Sequence, residues 1–310
     1  MLKVSGLKKT YITGTFHKCR VHAVNDVSFH ITKGQTFGIV GESGCGKSTL
    51  GKCVLRLTEP TEGKIIFNGT EITSLDKESL RSIRPKMQMI FQDPDSSLNP
   101  RKTLGQSIAE PLKISEIETG RISEKVEELV RHVGLLPEHI DRYPHQLSGG
   151  QNQRAVLARA LALEPVFIVA DEPTASLDVS VQAQILNLLK DLKHEYGLTM
   201  LFISHDLELM RHMCDRIAVM YMGKIVEIAS VENIFHSPMH PFTRLLLNEN
   251  ENDSEEISCA SGISNICCYY NNCPLKTGKC AHDIPYLTEH MQEHFVACHN
   301  IKSMHIIEND

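Results

Sequence analysis

Three observations predict an α/β fold for this 310-residue chain. Apolar runs of strand length alternate with helical segments as far as about residue 245. Several of those runs are continuous rather than alternating, the pattern of strands buried on both faces of a sheet. One of them, Phe37-Gly38-Ile39-Val40, leads straight into a glycine-rich loop and then a helix.

That loop, Gly41-Glu42-Ser43-Gly44-Cys45-Gly46-Lys47-Ser48, fits the phosphate-binding pattern G-x-x-x-x-G-K-[ST]. Glycines let backbone N–H groups turn inward around a phosphate, and the helix start adds positive potential. Lys47 is placed to reach the β- and γ-phosphates of a nucleotide, and the Ser48 hydroxyl to ligate Mg2+. Cys45, inside the loop, reads as a tolerated small residue, although oxidation there would obstruct nucleotide. Strands are expected at 27–31, 36–40, 64–67 and 87–91, and again at 167–170, 200–203 and 217–222. Between the two groups, residues 96–162 lack such runs. There Ser123-Glu124-Lys125-Val126-Glu127-Glu128-Leu129-Val130 has the apolar spacing of one helix face, so a helical insertion is expected.

Two more segments carry chemistry. Val166-Phe167-Ile168-Val169-Ala170-Asp171-Glu172 is an apolar strand ending in two carboxylates. Asp171 is placed to hold Mg2+, directly or through water, and Glu172 to orient and polarise an attacking water. Alone, such a strand end can be structural; the upstream loop favours catalysis. Leu147-Ser148-Gly149-Gly150-Gln151 opens the helical run 153–163 and forms a second helix-start anion site.

With these three elements the chain resembles a nucleotide-binding subunit of the ATP-binding cassette family, whose defining motif is the pentapeptide 147–151. The resemblance implies a RecA-like P-loop NTPase core with an antiparallel β subdomain and an inserted α-helical subdomain. It also implies two subunits packed head to tail. Each ATP is then held between Lys47 of one subunit, with Gly41, Gly44, Gly46, Ser48 and Thr49, and Ser148, Gly149 and Gly150 of the other. Tyr11 takes the place of the aromatic that stacks on adenine, unless it is an ordinary strand aromatic. Gln92 matches the glutamine that senses Mg2+ and the lytic water. Ser176-Leu177-Asp178 matches the loop that crosses the dimer interface, and His205 the switch histidine that contacts the γ-phosphate. The sequence departs from the family at Asn152, where relatives usually carry a basic residue, and at Ala175-Ser176, an inverted Ser-Ala.

A narrower resemblance rests on Gln92-Asp93-Pro94-Asp95-Ser96-Ser97-Leu98-Asn99-Pro100-Arg101, on Tyr143-Pro144-His145-Gln146 and on Pro238-Met239-His240-Pro241-Phe242-Thr243. Together these are similar to the ATPase subunits of dipeptide, oligopeptide and nickel importers. The resemblance implies two membrane permease subunits, an extracytoplasmic solute-binding protein and a second ATPase, identical or not. Residues 1–245 would form the cassette, 246–260 an acidic linker and 261–310 a small Cys-rich C-terminal extension.

Ten cysteines are unevenly spread, with six in the last 52 residues. In a chain of cytosolic type that clustering favours metal binding over disulfides. Cys267, Cys273, Cys280 and Cys298 follow C-x5-C-x6-C-x17-C, which matches the extension of the importer branch. Four thiolates suit a [4Fe–4S] cluster or a structural Zn2+, and the spacing fits neither a zinc ribbon nor a ferredoxin run. Cys259 and Cys268 read as bystanders.

A net charge of −6 argues against nucleic acid as the main partner. No run approaches the roughly 18 apolar residues of a spanning helix. The first nine residues lack the apolar core of a secretory signal. A cytoplasmic chain is therefore expected, and the resemblance to importer ATPases implies a peripheral place on the cytoplasmic face of the cell membrane. Two other readings are a soluble cassette ATPase acting on DNA or ribosomes, and a degenerate cassette that binds ATP without hydrolysing it. The single cassette and lack of sustained heptads oppose the first. The presence of Glu172 and His205 opposes the second.

Overall fold

The computed structural model describes residues 1–14, 19–115, 119–248 and 266–301. The acidic stretch 249–256 and Cys259 lie outside the described residues. The chain divides into two compact units, Met1–Ser74 with Phe202–Asp310, and Leu75–Leu201.

The first unit opens with β1 (Leu2–Thr13) and β2 (Cys19–Ile31), an antiparallel pair running from Leu2↔Ile31 to Thr13↔Cys19. Val27, Phe29 and Ile31 are buried while Ser28 and His30 between them are exposed, the period-two pattern of a half-solvated sheet. β3 (Thr36–Val40) is buried along its whole length and feeds α1 (Lys47–Val54). The rings of Phe29 and Phe37 stack at 5.1 Å. β4 (Glu62–Phe67) and β5 (Thr70–Glu71) complete an antiparallel sheet of order β2-β1-β4-β5.

The second unit begins with α2 (Lys77–Ile83), whose first turn is capped by the Asp76 carboxylate accepting the Ser79 N–H at 2.9 Å. β6 (Met87–Ile90) pairs in parallel with β7 (Phe167–Asp171). Between these strands come α3 (Pro94–Ser97), α4 (Leu104–Ile114), α5 (Thr119–His132) and α6 (Gly149–Leu161), and no strand among the described residues. α4 starts on a reciprocal Thr103–Gln106 cap and buries Leu104, Ile108 and Leu112, one face at four-residue spacing. α7 (Val179–Tyr196) buries Ile185, Leu189 and Leu192 and stops at Gly197, whose φ of 61° ends the helix in the left-handed region. β8 (Thr199–Ile203) follows, buried throughout.

Back in the first unit, α8 (Leu207–Met213) precedes β9 (Arg216–Tyr221), which runs parallel to β3 from Phe37↔Arg216 to Val40↔Val219. β10 (Lys224–Ser230) returns antiparallel beside β9. After α9 (Val231–His236) and α10 (Pro241–Asn248), β11 (Thr288–Met291) and β12 (His294–Val296) form a hairpin. β12 pairs with β10, so the strand order here is β11-β12-β10-β9-β3. A buried knot fixes the hairpin. The fully buried Glu227 carboxylate accepts the Met239 and His240 N–H groups at 2.7 and 2.8 Å and meets His294 Nε2 at 2.6 Å. No helix among the described residues is long and apolar enough to cross a membrane.

Candidate functional site

In the first unit, β3 delivers the glycine loop onto the end of β9. Gly41 has φ 156° and lies against the Met220 carbonyl; an added Cβ would fall 2.1 Å from that oxygen. Gly46, with φ 109°, presses on Ala23 in the same way, so any side chain at either place would collide with backbone. Gly46 is the N-cap of α1 and no side chain caps the helix. As a glycine the N-cap offers no side-chain oxygen to the first turn, the arrangement that suits an anion. Lys47 is buried, and its ammonium donates to the Gly41 and Glu42 carbonyls at 2.7 and 2.8 Å. Ser48 and Thr49 are half-buried in the first turn. Gly44 has open space around it. Burial pushes the Cys45 thiol up, against the pull of the Lys47 charge, so it stays protonated at neutral pH. Tyr11 stands at the exposed end of the β1–β2 pair, opposite Val21, with Lys9 Nζ 5.0 Å from its ring centroid. His205 is exposed immediately after β8, and Asp206 next to it caps α8 by accepting the Leu209 N–H at 3.1 Å.

In the second unit, β7 ends at the buried Asp171. Glu172 follows with φ 45°, a conformation that a non-glycine residue holds only when its surroundings impose it. Gln92 Nε2 donates to Glu172 Oε2 at 3.2 Å, joining residues 80 positions apart. At the start of α6, Ser148 Oγ accepts the Gln151 N–H at 3.3 Å while Gln151 Oε1 accepts the Ser148 N–H at 2.9 Å. The box consumes the serine as acceptor and leaves its O–H proton as a donor. Gly149 and Gly150 approach Leu177 and Val181, which places Asp178, the N-cap of α7, beside the pentapeptide. Asn152 is buried and donates to the Pro144 carbonyl at 3.0 Å, pinning the turn after Tyr143. The departure at this position thus faces inward. Sequence patterns gave no hint of Met220 or Gly223, whose contacts with the loop are made across the sheet.

Residues 266–301 gather the late cysteines. The Cys267 N–H donates to the Cys280 carbonyl at 3.0 Å. The Asn300 N–H donates to Cys298 Sγ at 3.4 Å, and Asn300 Nδ2 lies 3.8 Å from Cys280 Sγ. The thiols of Cys273 and Cys298 both feel Cys267 and Cys280 electrostatically, and burial raises both, Cys298 to about 11. Cys268, set aside as a bystander from the sequence, shares a side-chain hydrogen bond with Cys267 that lowers the Cys267 thiol. As the side chains stand, no three His, Cys, Asp or Glu residues among those described are gathered closely enough to hold a metal ion. The donor set itself, four free thiols with amide donors aimed at two of them, has the chemistry a thiolate-bound cluster needs.

A glycine loop feeding an uncapped helix, a strand ending in two carboxylates and a serine-glycine helix start together define a nucleotide-hydrolysing α/β protein. The sequence model of the ABC transporter family matches residues 24–175. The oligopeptide transport ATP-binding protein AppF of Bacillus subtilis (strain 168) is 47% identical over 294 residues, 90% of this chain and 89% of that protein. Among solved structures, the dimeric post-hydrolysis state of the ATP-binding cassette MJ0796 bound to ADP and Pi is 31% identical, with a TM-score of 0.67 over 74% of this chain and 99% of that one. The cbiO1 component of the cbiONQ ABC transporter complex of Clostridium perfringens is 28% identical, with the same TM-score over 76% and 90%. The chain belongs to the ABC transporter family, as one of its ATP-hydrolysing cassette subunits.

Proposed function

We propose that this chain is the motor of an importer that carries peptides into the cell. The observation that supports an active motor is the Gln92–Glu172 hydrogen bond at the end of β7. It aims the carboxylate that would take a proton from water and ties it to the glutamine that would sense the nucleotide. In this reading Lys47 exchanges its two loop carbonyls for β- and γ-phosphate oxygens. The N–H groups of the glycine loop bind the same phosphates, and Tyr11 stacks on the adenine. Ser48, Gln92 and Asp171 would hold Mg2+, which supplies neutralisation of phosphate charge when bound. Glu172 orients the attacking water and His205 contacts the γ-phosphate. Ser148, Gly149, Gly150 and Asp178 serve the nucleotide of a second cassette packed head to tail.

The peptide cargo follows from the name of the Bacillus subtilis relative and its 47% identity, rather than from any side chain here. Two membrane permeases and an extracytoplasmic binding protein complete the importer, with this subunit on the cytoplasmic face of the membrane. The test is uptake of a labelled dipeptide and of labelled nickel by cells carrying wild type or Glu172→Gln. Loss of dipeptide uptake alone is expected. Loss of nickel uptake alone would make the complex a metal importer and overturn the cargo assignment.

We further propose that Cys267, Cys273, Cys280 and Cys298 hold a [4Fe–4S] cluster, which would cross-link the segment through four thiolates. The mutual electrostatic reach of these thiols and the two Asn300 donors support the reading. Protein purified under nitrogen should contain about four iron and four acid-labile sulfide per chain. About one zinc and no sulfide would replace the cluster with a structural zinc site.

A further inference from the structure

Tyr221, the last residue of β9, touches two parts of the molecule that the proposed roles leave unconnected. Its backbone neighbours support the phosphate loop. The Met220 carbonyl lies under Gly41, and the Gly223 N–H donates to the Cys45 carbonyl at 2.9 Å. Gly223 in turn accepts the Asn25 N–H at 2.8 Å and, at φ 79°, sits so close to the His22 carbonyl that an added Cβ would fall 2.7 Å from it. The turn after Tyr221 is thus locked to the loop and to β2 at once. The side chain is 2% exposed. Its ring packs on Phe242 at 4.5 Å and meets the edge of Tyr269 at 5.2 Å and 88°. Asn272 Nδ2 lies 3.5 Å from its hydroxyl, the outer limit of a hydrogen bond. Tyr269 and Asn272 belong to the cysteine-bearing segment, and the Glu42 carboxylate of the loop acts on the same hydroxyl.

We infer that Tyr221 is a positioning residue for the phosphate loop, through which the packing of the cysteine-bearing segment sets the affinity for nucleotide. Closely packed interiors transmit a displacement instead of absorbing it. A shift of Tyr269 moves the Tyr221 ring, and the ring's own backbone carries Met220 and Gly223 against Gly41 and Cys45. The coupling is reciprocal, so nucleotide on the loop must tighten the segment by the same factor. The inference goes beyond ATP hydrolysis and holds whatever the four cysteines carry.

The test uses the full chain with three substitutions, Tyr269→Ala, Tyr269→Phe and Lys47→Ala, and ATP displacing a fluorescent ATP analogue. Tyr269→Ala should weaken ATP binding about fivefold or more, the lower range of known couplings, while Tyr269→Phe, which keeps the ring, restores wild-type affinity. ATP should slow amide hydrogen exchange across 266–301 in wild type, and this protection should vanish in Tyr269→Ala. A purely structural Tyr269 would lower the melting temperature and leave both readouts unchanged in the folded protein; that result overturns the inference. If Tyr269→Ala does not fold, Tyr269→Leu takes its place. Absence of ATP-dependent protection at 266–301 in wild type overturns the inference without any variant. Wild type that binds no ATP would instead sink the nucleotide-site assignment, for which Lys47→Ala sets the baseline.

Discussion

In the proposed mechanism Glu172 activates water; such a carboxylate has to be aimed as well as ionised, and the Gln92 amide at 3.2 Å would supply the aim. Glu172→Gln keeps the shape and cannot accept a proton. Steady-state turnover should fall about 10²- to 10⁴-fold while ATP binding is retained, read as phosphate release against a nucleotide titration. Unchanged turnover would remove Glu172 from the chemistry. The proposal gives Lys47 the opposite share, binding. Its ammonium is already desolvated and held by two carbonyls, so its phosphate bonds would be charge-assisted. Lys47→Ala should weaken ATP binding by about 1.5–3 kcal/mol, roughly ten- to a hundredfold in Kd. Normal affinity in that variant would contradict the assignment. Residues of this kind were legible because their chemistry sits in consecutive letters: a loop, its lysine, a strand and its carboxylates. Asn152 was not, because an amide that turns inward to hold Pro144 leaves no pattern in the letters around it.

At the scale of elements, the sequence marked fully buried strands and the apolar ends of others, and missed exposed stretches and a strand that carries a buried charge. β3 and β8 are buried at every position and were read nearly to the residue. In β2 only the apolar end, 27–31, was recognised, because Cys19 to Val21 are exposed. β10 escaped because Glu227 interrupts it, and that carboxylate is fully buried only because two backbone amides and His294 arrive from residues far along the chain. His240, in the same knot, accepts the Phe242 N–H at Nδ1, and burial lowers its pKa to about 4, against a smaller opposing pull from Glu227. A folded-state pKa below the unfolded value of 6.5 means that the unfolded chain binds the extra proton first. Stability from this group is complete above pH 6.5 and drains as pH falls toward 4. The loss should be on the order of 2–3 kcal/mol across that window. His240→Asn, whose side-chain oxygen can still accept the Phe242 N–H, should flatten this part of a melting-temperature profile against pH. An unaltered slope would place the acid sensitivity elsewhere.

For the whole molecule, the proposed function assigns one share to the loop-bearing unit and another to the carboxylate-bearing unit, and each is internally arranged for its own. The first unit holds the phosphate loop on β9 and on the turn before β10, and β10 is finished on its outer edge by β12. A chain ending at Asn248 would therefore lose more than a tail. It would expose the β10 edge at Glu227 and Ile228, strip His294 from a buried carboxylate, and uncover Met239, which packs with Val296 and Ile301. Leaving a buried acceptor without its hydrogen-bond partner alone costs about 1–3 kcal/mol. The unpaired strand edge adds a template for association between copies. The truncated chain should melt on the order of 10 °C lower than the full chain and aggregate as it does so, measured by scanning calorimetry with light scattering. Glu227→Gln in the same truncated chain removes the unpartnered carboxylate but keeps an acceptor for only one of the Met239 and His240 amides, and should recover at most part of the loss. If the truncated chain melts with the full one, the hairpin is an appendage. The cassette would then be complete without it, and the contacts of Tyr269 with Tyr221 would lose their bearing on the loop.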